Sequence, residues 1–176
     1  MKLKGFIITL LSAIMLTACT DIGKDEAKPV KETDDIKTLV NDYSTGNKNA
    51  QNASITSQQL FVTENDGSKT SYDLPKDEFF VSIAPYINVT HPCTDHSLTG
   101  CQGELANTEF KLYIEDLDGK VIQDKVISSP SNGFIDLWLP RGKTFQIKIE
   151  HNGKTAKSKL STFEGDQTCI TTMKLM

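Results

Sequence analysis

From Gln59 onward, apolar and polar residues alternate with a period of two in one short run after another, and turn residues punctuate them. Gln59-Leu60-Phe61-Val62-Thr63 and Ser71-Tyr72-Asp73-Leu74 flank Asn65-Asp66-Gly67, a hairpin turn. Phe79 to Ile87 is a strongly apolar strand. Phe110 to Glu115 alternates cleanly and turns at Asp118-Gly119 into Val121 to Ile127. Further strands are predicted at Phe134 to Leu139, Phe145 to Ile149, Thr155 to Leu160 and Cys169 to Leu175, with Asn152-Gly153 as a second hairpin signal. A chain of this pattern folds as a mainly β protein, an antiparallel β-sandwich-like domain or barrel.

What precedes the strands is different. Lys2 and Lys4, an apolar run from Phe6 to Leu16, and Leu16-Thr17-Ala18-Cys19 have the order of an export signal. The apolar run is too short to be a membrane span. Cysteine at the cut position resembles the bacterial lipobox, which implies lipidation of Cys19 and a membrane anchor facing the extracytoplasmic side. Residues 1–18 are therefore expected to be a lipoprotein-type signal peptide. Residues 19–35 are polar and charged, cannot bury a core, and are expected to be a flexible, disordered tether. Ile36, Leu39, Val40 and Tyr43 at helical spacing predict a short helix, capped by Asp34 or Asp35 and stopped near Gly46. Residues 36–57 make a short helical and polar segment, and 58–176 the β-rich domain.

The net charge of −4 and the lack of a basic patch give no reason to expect a nucleic-acid partner. No nucleophile–base pair, phosphate loop or nucleotide fold is visible, which disfavours hydrolases and nucleotide-dependent enzymes. Cysteine count carries more. Of four cysteines, Cys19 is assigned to lipid, leaving Cys93, Cys101 and Cys169. An odd number in an oxidising compartment leaves one thiol over: free, paired with another molecule, or metal-bound.

The densest reactive stretch is His91-Pro92-Cys93-Thr94-Asp95-His96-Ser97-Leu98-Thr99-Gly100-Cys101, a predicted loop between strands. Thiolates are soft donors that select soft ions such as Cu(I), and imidazole also accepts Cu(II) and zinc. Cys93, Cys101 and Cys169 give Cu(I) a low-coordinate site, with His91 and His96 to receive incoming Cu(II). Zinc, the weaker alternative, would take the same cysteines and one histidine, but the Cys93–Cys101 step is not a C-x2-C knuckle. Two other readings stay open. In one, a Cys93–Cys101 disulfide staples a structural lipoprotein, contributing about 2–3 kcal/mol, and Cys169 is a buried apolar residue. In the other, the chain is a thiol–disulfide oxidoreductase, although it lacks a C-x-x-C at a helix start. A site that alternates between Cu(I) and a disulfide could donate electrons to Cu(II).

Pro85-Tyr86, Thr90-His91-Pro92-Cys93, His96, Cys101 and Gly103-Glu104-Leu105 form one motif. Asn132-Gly133-Phe134-Ile135-Asp136-Leu137-Trp138-Leu139-Pro140-Arg141 is a second, and Ser161-Thr162 with Thr168-Cys169-Ile170-Thr171-Thr172 a third. Together, between Leu60 and Leu175, they resemble the CueP family of exported copper-binding proteins. The resemblance implies copper resistance outside the cytoplasm, with copper held by Cys93, Cys101 and Cys169. It also implies cupric reductase activity, a thiol reductant to sustain it, and delivery of copper to an exported copper/zinc superoxide dismutase. The family's N-terminal portion is linked to dimer formation; here the part before Leu60 is short and polar, and a dimer stays open.

Bland roles are expected for other conspicuous residues. Trp138 reads as core, Arg141 as an exposed or paired charge, and His151 as solvated at a hairpin tip. Glu104 is a candidate partner for a ligating histidine.

Overall fold

The computed structural model describes residues 35–176 and the backbone of Lys28–Val30. The expected signal peptide, the lipidated Cys19 and most of the expected tether lie outside the described residues. The fold is mainly β and mainly antiparallel, with one helix among the described residues. Strand β1 (Lys28–Val30) pairs in parallel with β4 (Lys69–Asp73).

Helix α1 (Ile36–Thr45) starts where the sequence provides a cap. The Asp35 carboxylate accepts from the Thr38 N–H at 3.2 Å. It ends at Gly46, whose φ of 77° is the left-handed conformation of a helix C-terminus. Ile36, Val40 and Tyr43 are its buried face.

The strands form three sheets. One orders β1, β4, β3 (Gln59–Thr63), β2 (Asn52–Ile55) and β6 (His96–Ser97). A second orders β11 (Lys154–Ser161), β10 (Thr144–His151), β7 (Glu109–Asp116) and β8 (Val121–Ser128). The third orders β12 (Cys169–Ile170), β5 (Glu78–Ile83) and β9 (Ile135–Pro140). Both expected hairpins form. Gly67 takes φ 85° at the end of the three-residue loop Asn65-Asp66-Gly67, and Asn152 and Gly153 take φ 47° and 75°, as a two-residue turn requires.

The three-stranded sheet is the middle layer, which explains why β5 reads as a continuous apolar run instead of alternating. Phe79, Val81 and Ile83 pack with Phe110, Leu112, Phe145 and Ile147 of the four-stranded sheet. Phe80, pointing the other way, packs with Val40, Tyr43, Ile55 and Leu60 of the helix and the five-stranded sheet. Trp138 joins this second cluster as expected, in edge contact with Phe80 at 5.3 Å. Asp136 is half-buried on the same face of β9 as Trp138. It accepts hydrogen bonds from Ser44 Oγ and Ser82 Oγ, each at 2.5 Å, so it ties α1 to β5 and β9. Burial raises its pKa, and the two serine bonds oppose that.

Lys28–Val30, within the stretch expected as a flexible tether, is a short strand on β4, and two further elements differ from the sequence expectation. Asn52–Ile55 lies in the stretch read as polar, yet it is a strand with Ala53 and Ile55 inward. The last strand is Cys169–Ile170 alone, followed by a single bridge between Tyr86 and Lys174. Arg141 donates through Nε to the Pro75 carbonyl at 3.0 Å and its guanidinium lies over the Phe79 ring. His151 is not simply solvated: it is half-buried, with Nδ1 2.8 Å from the Glu109 carbonyl oxygen.

Candidate metal centre

The last strand carries Cys169, and its register puts Cys169 beside Ser82, next to the end of β5. The loop of residues 91–101 is drawn over it by two backbone–backbone bonds and one from backbone to side chain. The Thr94 carbonyl accepts from both Thr168 N–H (3.2 Å) and Cys169 N–H (3.1 Å). The His96 N–H donates to Thr168 Oγ1 at 3.0 Å, and that hydroxyl donates to the Ile55 carbonyl at 2.6 Å. Pairing of Ile55 with His96 completes the attachment. A two-residue strand thus buries a histidine that sequence pattern places in a surface loop.

The other wall comes from a close backbone crossing. Gly103 N–H donates to the Asn132 carbonyl at 2.7 Å, and a Cβ on Gly103 would lie 2.6 Å from the Gly133 carbonyl oxygen. Only glycine allows that approach, and it brings Cys101 toward Phe134. Phe134, Ala84 and Cys169 form a small buried cluster, with Cys93 and Cys101 packed against it.

One donor atom from each of Cys93, His96, Cys101 and Cys169 falls in a group whose members all lie within 4.8 Å of one another. His91 is outside that group; its ring stands 6.2 Å from that of Phe134, whereas the His96 ring is 4.5 Å from it. Cys93 and Cys169 are joined by a disulfide with a Cα–Cα distance of 5.6 Å, and Cys101 is a free thiol with Sγ 3.6 Å from Sγ of Cys93.

The expected Cys93–Cys101 staple is therefore corrected. The bonds to Thr94 hold the Cys93 and Cys169 backbones at a separation that suits a disulfide. Cys169 is buried, but it is bonded, not a lone apolar side chain. The expectation for Glu104 is corrected as well. Its carboxylate accepts from the N–H groups of Ile87 (2.6 Å) and Asn88 (2.9 Å), bonds that lower its pKa, and it braces the 85–90 turn instead of touching a histidine.

His96 is fully buried, and neither ring nitrogen has a hydrogen-bond partner. Burial, and secondarily the charge of His91, push its pKa down to about 4, so the ring is neutral. A buried polar group without a partner costs about 1–3 kcal/mol. A neutral imidazole beside three sulfurs is also what a metal ligand must be, with a lone pair unshared. The donor set of sulfur and imidazole fits a soft or borderline ion and suits neither magnesium nor calcium.

A mainly antiparallel β domain with three cysteine sulfurs and a sealed imidazole at one sheet end belongs to the class of soft-metal-binding β proteins. The comparisons with known proteins agree. The chain belongs to the CueP family: the family described as periplasmic copper-binding protein CueP matches residues 33–174. That match takes in α1, which carries none of the three sequence motifs. The crystal structure of S.CueP is 37% identical to this chain, with a TM-score of 0.75, covering 80% of this chain and 88% of that one. No curated protein matches. Copper is the ion that the family brings to this site, and a periplasmic family is one of exported proteins. No helix among the described residues is long and apolar enough to cross a membrane.

Proposed function

We propose that this chain is an extracytoplasmic copper-resistance protein, anchored through lipid on Cys19, that reduces Cu(II) and holds Cu(I) on Cys93, Cys101 and Cys169. His96 is a buried fourth donor, and His91, outside the group, meets incoming Cu(II). What supports the reading is the gathering of three sulfurs and an unpartnered imidazole nitrogen within 4.8 Å, drawn from a loop and a strand far apart in sequence.

The redox step balances on the cysteines alone. The thiols of Cys93 and Cys169 give up two electrons to two Cu(II) ions, release two protons, and join as a disulfide. The Cys93–Cys169 disulfide of the fold is the same bond that such a step would form. A thiol reductant then restores both sulfurs, and Cu(I) passes to an exported acceptor such as a copper/zinc superoxide dismutase. Three thiolates supply most of the Cu(I) affinity and His96 adds to it, whereas zinc would require His96 to complete its tetrahedron.

Competition of the reduced protein against a Cu(I) chelator tests the reading. Cys169→Ser is expected to weaken Cu(I) binding by at least about a hundredfold, and His96→Gln by about tenfold. Unchanged affinity in Cys169→Ser would sink the three-thiol site. Metal analysis of the protein purified from copper- and zinc-supplemented cells separates the two ions.

A further inference from the structure

Three sulfurs share one disulfide here, and they differ in access. Cys169 is 1% exposed, sealed under the 91–101 loop, whereas Cys93 and Cys101 are half-buried. A disulfide is opened by a thiolate that reaches one of its two sulfurs, at a rate that depends on access and on which sulfur is attacked. From outside, the Cys169 sulfur is closed. Beside the Cys93 sulfur, at 3.6 Å, already stands the free thiol of Cys101. An intramolecular nucleophile held at contact distance outcompetes one that must diffuse in.

We propose that Cys101 is an exchange thiol that moves the oxidised bond from the buried strand to the surface loop. This deepens the cupric-reductase reading above, on which its purpose rests. Cys101 gives up its proton and attacks Sγ of Cys93. The Cys93–Cys169 bond breaks, a Cys93–Cys101 bond forms, and the electron pair leaves on Cys169, which takes up a proton. Nothing is oxidised or reduced overall. A protein dithiol too large to reach Cys169 then attacks the loop disulfide, forms a mixed disulfide, and is released in its oxidised form. Cys93 and Cys101 are left as thiols.

The fold divides the labour accordingly. Cys169 is fixed by its pairing with β5 and by its N–H bond to Thr94, so it stays as the buried donor beside His96. Cys93 and Cys101 both lie on the loop, and each belongs to the cluster that surrounds Phe134. The pivot is Cys93, whose sulfur is bonded to that of Cys169 and stands 3.6 Å from that of Cys101.

The test uses the full chain with Cys19→Ser, to keep a fourth thiol out, oxidised and held in chelator without metal. After incubation at mildly alkaline pH, free thiols are alkylated and the linked peptides mapped. Both the Cys93–Cys169 and the Cys93–Cys101 bonds are expected in this parent protein. Reduction by thioredoxin is then timed. Cys101→Ser is expected to slow it by at least about tenfold, while Cys169→Ser, which can close only the loop bond, is reduced at least as fast as the parent. A parent that shows only the Cys93–Cys169 bond, or a Cys101→Ser variant reduced at the parental rate, overturns the proposal. The mapping uses the parent alone, so misfolded variants cannot rescue the idea. Neither readout involves copper, so a failure of Cu(I) binding would sink the proposed function and leave this exchange standing.

Discussion

At the scale of single residues, His96 is where position and chemistry conflict in the metal-free protein. Its pKa of about 4 in the fold, against an ordinary 6.5, means that the unfolded chain takes up a proton at a pH where the folded chain does not. Between about pH 6.5 and pH 4 the unfolded state therefore binds more protons, and stability falls as pH falls through that window. The full gap corresponds to roughly 3 kcal/mol. Urea unfolding of metal-free protein at about pH 7 and about pH 4.5 measures it. Carboxylates contribute a slope of their own, so His96→Gln is the control. The variant is expected to lose about 2 kcal/mol less than the parent over that range; equal losses would mean that the ring is not sealed as a neutral group. Sequence offered His91 and His96 as equals, because both sit in one loop-like run. Only the pairing of Ile55 with His96, between strands too short or too polar to show a period, decides which ring is buried.

At the scale of elements, the long hairpins were legible because one face of each is buried, and period two follows from that. β7 and β10 alternate strictly with Phe110, Leu112, Ile114, Phe145, Ile147 and Ile149 inward. The two-residue strands β6 and β12 were not legible, since two residues carry no period, and the parallel pairing of β12 with β5 leaves no local mark. Yet those strands carry the site. The glycine crossing beside it makes a direct test of how the loop is placed. Gly103→Ala would put a Cβ 2.6 Å from a backbone oxygen that has no side-chain freedom to yield. The loop must lift, so Cu(I) affinity is expected to drop together with stability, by about 1–3 kcal/mol in the latter. An unchanged affinity in chelator competition would show that Cys101 is positioned without the crossing. Asn132, the Gly103 partner in that crossing, also bonds Ser44, and Ser44→Ala removes a donor to half-buried Asp136 and an acceptor for Asn132 Nδ2. Unfolding by urea should report a loss of about 1–3 kcal/mol, because the half-buried carboxylate and the buried Asn132 amide each lose a bond.

At the scale of the whole molecule, the pairing of sulfurs is decided by the fold against the preference of the chain. Cys93 and Cys101 are separated by 8 residues, Cys93 and Cys169 by 76. Loop closure costs about 0.6 kcal/mol for each doubling of length, so an unfolded chain favours the short loop by about 2 kcal/mol, roughly thirtyfold. The native structure holds the long one. What reverses the preference is the set of bonds from Thr94 to the last strand, together with the sheet that places that strand beside β5. Spacing in the sequence followed the unfolded preference and pointed to the short staple; it could not register the tertiary bonds that overrule it. The consequence is measurable. Oxidised full chain with Cys19→Ser, incubated in concentrated guanidinium chloride at mildly alkaline pH, should pass mainly to the Cys93–Cys101 bond as Cys101 attacks freely. Removal of denaturant should then return it toward Cys93–Cys169, which peptide mapping after alkylation follows directly. A chain that kept Cys93–Cys169 in denaturant would have its pairing set by something other than the fold. If instead the pairing reverses with folding, the energy that seats the last strand beneath the loop is what selects the buried bond.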